Sequence, residues 1–530
     1  MLEHYALADL LVFAAYGLLL IASGWLFNRS SRSAKDYFLG GNSMPVWVVA
    51  ISVLATSQSA ATFLGGPDQG YRGDLTYLST NIGAFIAAFF VAAFLIPRFY
   101  KHNVYTVYEL LEQRFGEQAK QLAGAMYLSG RVFASGARLY MAALAVAMIL
   151  FGNIDASSVI LATVIITVAG LVYTVYGGIR TVIYSDVLQA AVYICAAVAV
   201  IIALLNAIPA SLADIVNALQ HPAPDTPSKL RLFDTRLDFT NSGVFSLFSV
   251  FTGFVLLNIA AFGLDQDMTQ RVLTCKSAKE GSKAMLLSVV MVIPVMCLFL
   301  IIGLLLFVYY QRPDLMAGGS GENPVPVFAG EPVTIFMYYV LSEIPDGVRG
   351  LVTVGILAAA LSTLNSGLNS MSSVLIQDMY RPWLARRNTQ KNDAHFVKAG
   401  RFAMLLMALS LGFMACLCYY WQQHTDMPLL QFALGVMVFS YSGLLGVYFV
   451  TLFSRRGSRR SVIAALITGF LLPLSMQPYI IESILPARLQ FELGFTWQLV
   501  AGTLISTLIC AMGNTPAGYN KDTQQPEPVQ

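Results

Sequence analysis

Hydroxyl side chains gather where an apolar helix is expected. Ala359, Ser362, Thr363 and Ser366 recur at i, i+3, i+4 and i+7, so on a helix they share one face. Asn365, Asn369 and Ser370 crowd the adjacent face of the same stretch, AAALSTLNSGLNSMSS over 358–373. A hard cation stripped of water needs several oxygens held close together, and hydroxyls with freed carbonyls supply them without adding net charge. Packing of small residues between helices is the other use of such a stretch, and it suffices for the Ala and Gly positions.

A second interruption lies in LATSQSAATFLGG, residues 54–66, where Thr56, Ser57, Gln58, Ser59 and Thr62 stand amid apolar neighbours. Single Ser or Thr residues are absorbed by bonding back to the helix carbonyls. Four consecutive polar residues that include Gln exceed that capacity. They point to an unwound segment lining a cavity, because freed carbonyls are tolerated only where something polar meets them.

Charge makes a third. Arg131 and Arg138 lie seven residues apart, hence on one helix face about 10 Å from each other. Arginine at membrane depth faces a bundle interior or a wet cavity. Two readings stand side by side: one arginine pairs with a substrate carboxylate, or both pair with carbonyls or an internal acid. Asp186 is expected at the mouth of its helix, and Asp265 and Asp267 at the end of theirs. The five histidines, His4, His102, His221, His395 and His424, fall in expected loops or termini, so no proton relay or intramembrane metal centre is legible.

The elements that must position these residues are transmembrane helices. Of 530 residues, 57% are hydrophobic and only 12% charged, and the mean hydropathy is +0.65. Soluble chains are nearer one-quarter charged. Apolar blocks long enough for a ~30 Å hydrocarbon core predict thirteen spans. They are span 1 at 6–27, span 2 at 46–66, span 3 at 75–97, span 4 at 119–150, span 5 at 157–176 and span 6 at 183–206. Span 7 follows at 243–264, span 8 at 284–309, span 9 at 347–378, span 10 at 398–422, span 11 at 428–453, span 12 at 461–480 and span 13 at 495–513.

Loops after the odd-numbered spans, with the C-terminal tail, carry 23 of the 32 Lys and Arg, Arg271 among them, against seven on the other side. The positive-inside bias then puts the N-terminus outside and the C-terminus in the cytoplasm of a plasma membrane (bacterial inner membrane). The first apolar stretch lacks a basic leader and reads as a retained span. Outer loops at 207–242 and 310–346 are expected to hold short surface helices, and the tail 514–530 to be disordered. A net charge of +3 gives no reason for a nucleic-acid partner, the six cysteines read as buried apolar residues, and no GxxxxGK[ST] phosphate loop is present.

At these residues the sequence resembles the sodium:solute symporter family. The similarity runs from DYFLGGNSMPVW (36–47) through YTVYGGIRTVIYSDVLQ (173–189) and GLDQDMTQR (263–271) to the span 9 cluster. The resemblance implies an all-α polytopic membrane protein of about 13 transmembrane helices with a leucine-transporter-type core of inverted five-helix repeats. The repeats would be 46–206 and 243–453, flanked by an extra span at 1–27 and C-terminal spans at 461–513. It implies a sodium site of three carbonyls, Ala55, Gln58 and Ala359, and two hydroxyls, Ser362 and Thr363.

In some members a second sodium site exists, and its positions here are Asp186, Ser362, Asn365 and Ser366, with Asn365 replacing a serine. Pocket positions map to Ser57, Ser59, Thr62 and Asn81. The pattern ATxxSxxTF over 55–63 looks like the sialic acid transporters, although Ala134 stands where their arginine would align, between Arg131 and Arg138. The function implied is sodium-coupled import of a small organic solute, anionic if an arginine faces the pocket, with no cofactor beyond sodium and a monomer as working unit. Alternatives are a proton-coupled transporter of the same fold, in which Asp186 would titrate, and a solute sensor that does not transport.

Overall fold

A computed structural model describes residues 6–27, 33–223, 226–316, 326–328, 331–422, 429–484, 486, 488 and 490–514. His4, Arg29, Arg32, His424 and the tail from 515 lie outside the described residues. All thirteen expected blocks are helical. Among the described residues, seven are long and apolar enough to cross a membrane by themselves, and three bent pairs, Ala34–Asn42 with Val46–Ser57, Leu247–Gly263 with Gln266–Val272 and Arg459–Ser475 with Pro478–Ile484, pass when each pair is taken as one span. The remaining three blocks are the shorter apolar helices Leu7–Ala22, Ala156–Val172 and Phe495–Ala511. Helices satisfy their own backbone hydrogen bonds, which hydrocarbon cannot do for them. Short helices, Leu212–Gln220 and Ile335–Ser342, occupy the two long loops as expected, but the second is not a surface helix, since Ile335, Phe336, Met337, Tyr339 and Val340 are buried.

Span 9 is the central helix. In it, 89% of the apolar window is buried inside the protein, against 39% for spans 3 and 6, which face outward. Asp9 of span 1 pins its upper end. Its buried Oδ1 accepts from the backbone N–H groups of Gly347 (2.8 Å) and Gly350 (2.7 Å). Spans 2 and 8 cross at backbone contact, since a Cβ on Gly70 would lie 2.5 Å from the Leu300 carbonyl oxygen.

Two breaks depart from regular helix. Span 2 is two helices, Val46–Ser57 and Ala60–Arg72, joined by Gln58 and Ser59 in extended conformation, where the polar run predicts an interruption. Span 7, expected over 243–264, is the helix Leu247–Gly263, but the stretch beyond it, expected as a loop, forms a second helix, Gln266–Val272, bent from the first by 58°. The polar stretch DQDMTQR, 265–271, begins at this break and by composition alone reads as a loop. The break is supported by Asp265, whose side chain caps the second helix by accepting from the Asp267 N–H. Spans 5 and 6 reverse at Gly178, whose φ of 61° and ψ of −161° suit glycine alone. Both halves then lie along span 9: Gly170 faces Leu361, Leu364 and Asn365, while Asp186 reaches Ser362.

Candidate functional site

The interrupted helix and the hydroxyl helix meet. Thr56 Oγ1 lies 3.2 Å from Ser366 Oγ, and a Cβ on Gly355 would touch the Phe63 ring at 3.4 Å. These contacts bracket the break at Gln58 and Ser59, setting it level with residues 359–363 of span 9. Among the described residues, no hydrogen-bond donor reaches the carbonyl oxygens of Ala55 or Gln58. Opposite them, Thr363 Oγ1 donates to the Ala359 carbonyl at 3.1 Å, so two oxygens of span 9 sit together. Ser362 Oγ donates to Asp186 Oδ1 at 2.7 Å, and Ser366 Oγ donates back to the Ser362 carbonyl at 2.6 Å.

Below this cluster sits a buried charge network that corrects two expectations. Asp186 is not at a mouth: it is fully buried and takes Ser52 Oγ (2.5 Å) and Ser362 Oγ as donors. Arg271, expected in a basic loop, is fully buried. It donates to Asp186 Oδ2 (3.2 Å), Asp267 Oδ1 (2.9 Å), Ser52 Oγ (2.9 Å) and Ser366 Oγ. The bend of span 7 turns Gln266–Val272 back into the bundle and carries the arginine with it. The guanidinium thus stands between Asp186 and Ser366, two of the positions named for a second cation. Asn365 lies beside Gly170, on the span 5 side.

The two arginines of span 4 divide the two readings between them. Arg131 pairs with internal acids, Asp267 and Asp265 (3.5 Å), and Asp265 also accepts from Tyr441 Oη at 2.5 Å. Arg138 has no acid partner among the described residues and donates to Met437 Sδ at 3.2 Å. Both border a cavity of about 280 Å³. Ser57, Gln58, Ser59, Thr62 and Asn81 line it too, so the proposed pocket positions come together. Asn81 is held by its Nδ2 donating to the Leu78 carbonyl at 3.0 Å. Ala134 is buried in the small crevice beside Arg131 and Tyr441.

Sequence reasoning missed part of the lining: Tyr77, Thr80, Asn258, Asp265 and Tyr441. Asn258 could have been found, as a lone amide in the apolar run VLLNIAAF. Tyr441 could not, because nothing in its surroundings separates a pocket tyrosine from a packing one.

Three comparisons bear on this geometry. A family model described as the sodium:solute symporter family matches residues 37–469. A sodium/sialic acid symporter from Proteus mirabilis is 26% identical over 95% of this chain and 94% of its own length. A sodium/glucose cotransporter from Vibrio parahaemolyticus is 26% identical over 96% and 92%. Among solved structures, a substrate-bound, outward-open Na+-coupled sialic acid symporter superposes with a TM-score of 0.77 at 25% identity, covering 96% of this chain and 97% of that one. A transporter of the nucleobase-cation-symport-1 family in a closed conformation shares the fold, with a TM-score of 0.53 at 14% identity over 90% of this chain and 94% of that one.

Proposed function

Because this chain belongs to the sodium:solute symporter family, we propose that it imports a small anionic organic solute against its gradient with sodium as the driving ion. Sodium is held by the carbonyls of Ala55, Gln58 and Ala359 and the hydroxyls of Ser362 and Thr363. The observation that carries this reading is the break at Gln58 and Ser59, where the carbonyls of Ala55 and Gln58 meet no donor among the described residues and lie level with the span 9 hydroxyls. Sodium joins the two helices and so favours the conformation in which they are close. An ion drives transport only if it binds the two access states unequally.

The solute occupies the cavity beside Ser57, Ser59, Thr62 and Asn81. Arg138 faces its anionic group, since Arg131 is already neutralised by Asp265 and Asp267. A guanidinium forks onto a carboxylate in two parallel hydrogen bonds, and a sugar acid or short carboxylate offers that group. A second cation at Asp186, Asn365 and Ser366 requires the Arg271 guanidinium to leave. The repeats 46–206 and 243–453 rock about this site in a single subunit. The end rich in Lys and Arg faces the cytoplasm of a bacterial cell, with the N-terminus outside.

The test is uptake into proteoliposomes of labelled sialic acid, glucose and short carboxylates under a sodium gradient, with a proton gradient as the comparison. Sodium should drive accumulation, and Ser362→Ala with Thr363→Ala should raise the half-saturating sodium concentration at least about tenfold while the protein still folds. Accumulation driven equally by protons alone, or unchanged sodium dependence in the double variant, overturns the reading.

A further inference from the structure

Beyond the hydroxyl cluster, span 9 carries polar side chains that neither the sodium cage nor the pocket uses. Asn369, Ser373 and Gln377 follow Ser366 at steps of three and four residues, continuing its face toward the basic end. The backbone becomes a π-helix over Leu375–Tyr380, where each residue advances less around the axis. That change brings Asp378 toward the same line.

All four are buried, Asn369, Ser373 and Asp378 completely and Gln377 to within 4%. Yet both polar atoms of the Asn369 side chain, Ser373 Oγ, Gln377 Nε2 and Asp378 Oδ2 have no hydrogen-bond partner among the described residues. Buried polar atoms are ordinarily paired, because an unpaired one has lost its hydration for nothing. Apolar side chains would fill this helix face without that loss. A row of such atoms that starts at a cation cage and ends at a carboxylate has the composition of a wet route closed for the moment.

What closes it is also visible. Helix Gln266–Val272 packs on span 9, with Arg271 bonded to Ser366 Oγ. That helix is latched to residues 105–108. Gln266 Nε2 donates to the Tyr105 carbonyl (2.8 Å), the Val107 N–H donates to Gln266 Oε1 (3.0 Å), and Tyr108 Oη donates to the Leu264 carbonyl (3.0 Å). From the same segment, Thr106 Oγ1 donates to Asp378 Oδ1 at 2.7 Å. One short loop therefore holds both the bent half of span 7 and the last acid of the row.

We propose that Asn369, Ser373, Gln377 and Asp378 line the cytoplasmic release route of the coupling cation, closed here by helix Gln266–Val272 and its latch to residues 105–108. The inference rests on the sodium-symport reading above. An ion leaving a neutral cage meets successive neutral dipoles and then a carboxylate, which draws it outward and passes it to water. Asp378 is a positioning acid for exit, and the cage itself does not depend on it.

The experiment uses the full chain in proteoliposomes of known orientation. Ser373→Cys is treated from the cytoplasmic side with an impermeant cationic thiol reagent, the unsubstituted protein serving as control for the six native cysteines. Labelling should occur from that side only, at least tenfold faster with choline outside than with sodium outside. Gln377→Cys is the second position should Ser373→Cys not fold. Asp378→Asn should slow the release of radiolabelled sodium at least tenfold while the external half-saturating sodium concentration moves by less than twofold. Folded Cys variants that never label, labelling indifferent to external sodium, or sodium release at the unsubstituted rate in Asp378→Asn overturns the route. If the unsubstituted protein still accumulates solute on a sodium gradient, the parent reading survives that result; if it does not, both fall.

Discussion

Asp186 Oδ2 lies 3.2 Å from the guanidinium of Arg271, with both side chains shut off from solvent. The pair joins span 6 to the bent half of span 7, and Ser52 of span 2 and Ser366 of span 9 complete the ring. Four elements thus share one electrostatic knot.

Removing one side of that knot leaves an uncompensated buried charge, which costs about 3–5 kcal/mol. Arg271→Met should therefore lower thermal stability in detergent sharply. Asp186→Asn combined with Arg271→Met should recover a measurable part of the loss, because Asp267 keeps Arg131 as its partner. A thermal double-mutant cycle checks this, and additive losses would mean that the two residues are not energetically coupled.

The two arginines of span 4 should behave oppositely. Arg138→Met should leave folded protein abundance near the unsubstituted level while raising the half-saturating solute concentration about 10–100-fold, the loss expected from a charge-assisted fork. Arg131→Met strands Asp265 and should reduce folded yield. Parallel uptake kinetics and size-exclusion profiles separate the two outcomes.

Glu109 gives a pH signature outside the membrane spans. Burial pushes its carboxyl up from 4.5 to about 7, opposed by the Tyr105 N–H that it accepts. A carboxyl raised on folding stabilises the folded state below its unfolded pKa, and that contribution is lost as pH rises through about 7. Glu109→Gln keeps an acceptor and removes the titration. The variant should match the unsubstituted protein near pH 4.5 and exceed its stability at pH 8 by about 1–3 kcal/mol, read as unfolding temperature across that range.

Gly178→Ala should fail to accumulate. Its φ of 61° and ψ of −161° belong to glycine, and an added Cβ would stand 2.6 Å from the Tyr37 carbonyl oxygen. Backbone strain of this kind costs about 1–3 kcal/mol before the clash is counted. Gly412→Ala in span 10 meets nothing within 4 Å and should be neutral, which makes it the matched control in a membrane-yield assay.

Much of this protein was legible along the chain. The thirteen apolar blocks declare themselves because hydrocarbon admits only long runs without free backbone polar groups. The polar run at 56–59 announces its own break for the same reason, and helical periodicity alone gathers Ala359, Ser362, Thr363 and Ser366 on one face. What the chain could not express is which charges meet. Arg271 sits in the polar run that follows span 7, so along the sequence it counts as a loop charge, whereas the 58° bend delivers it to Asp186, 85 residues away in sequence. Arg131 and Arg138 are equivalent by spacing, and only packing decides that Asp265 and Asp267 neutralise the first and leave the second facing the cavity. Hydrophobicity and periodicity are local properties and can be read residue by residue. Pairing of buried charge depends on where distant helices cross, and only the folded bundle fixes that.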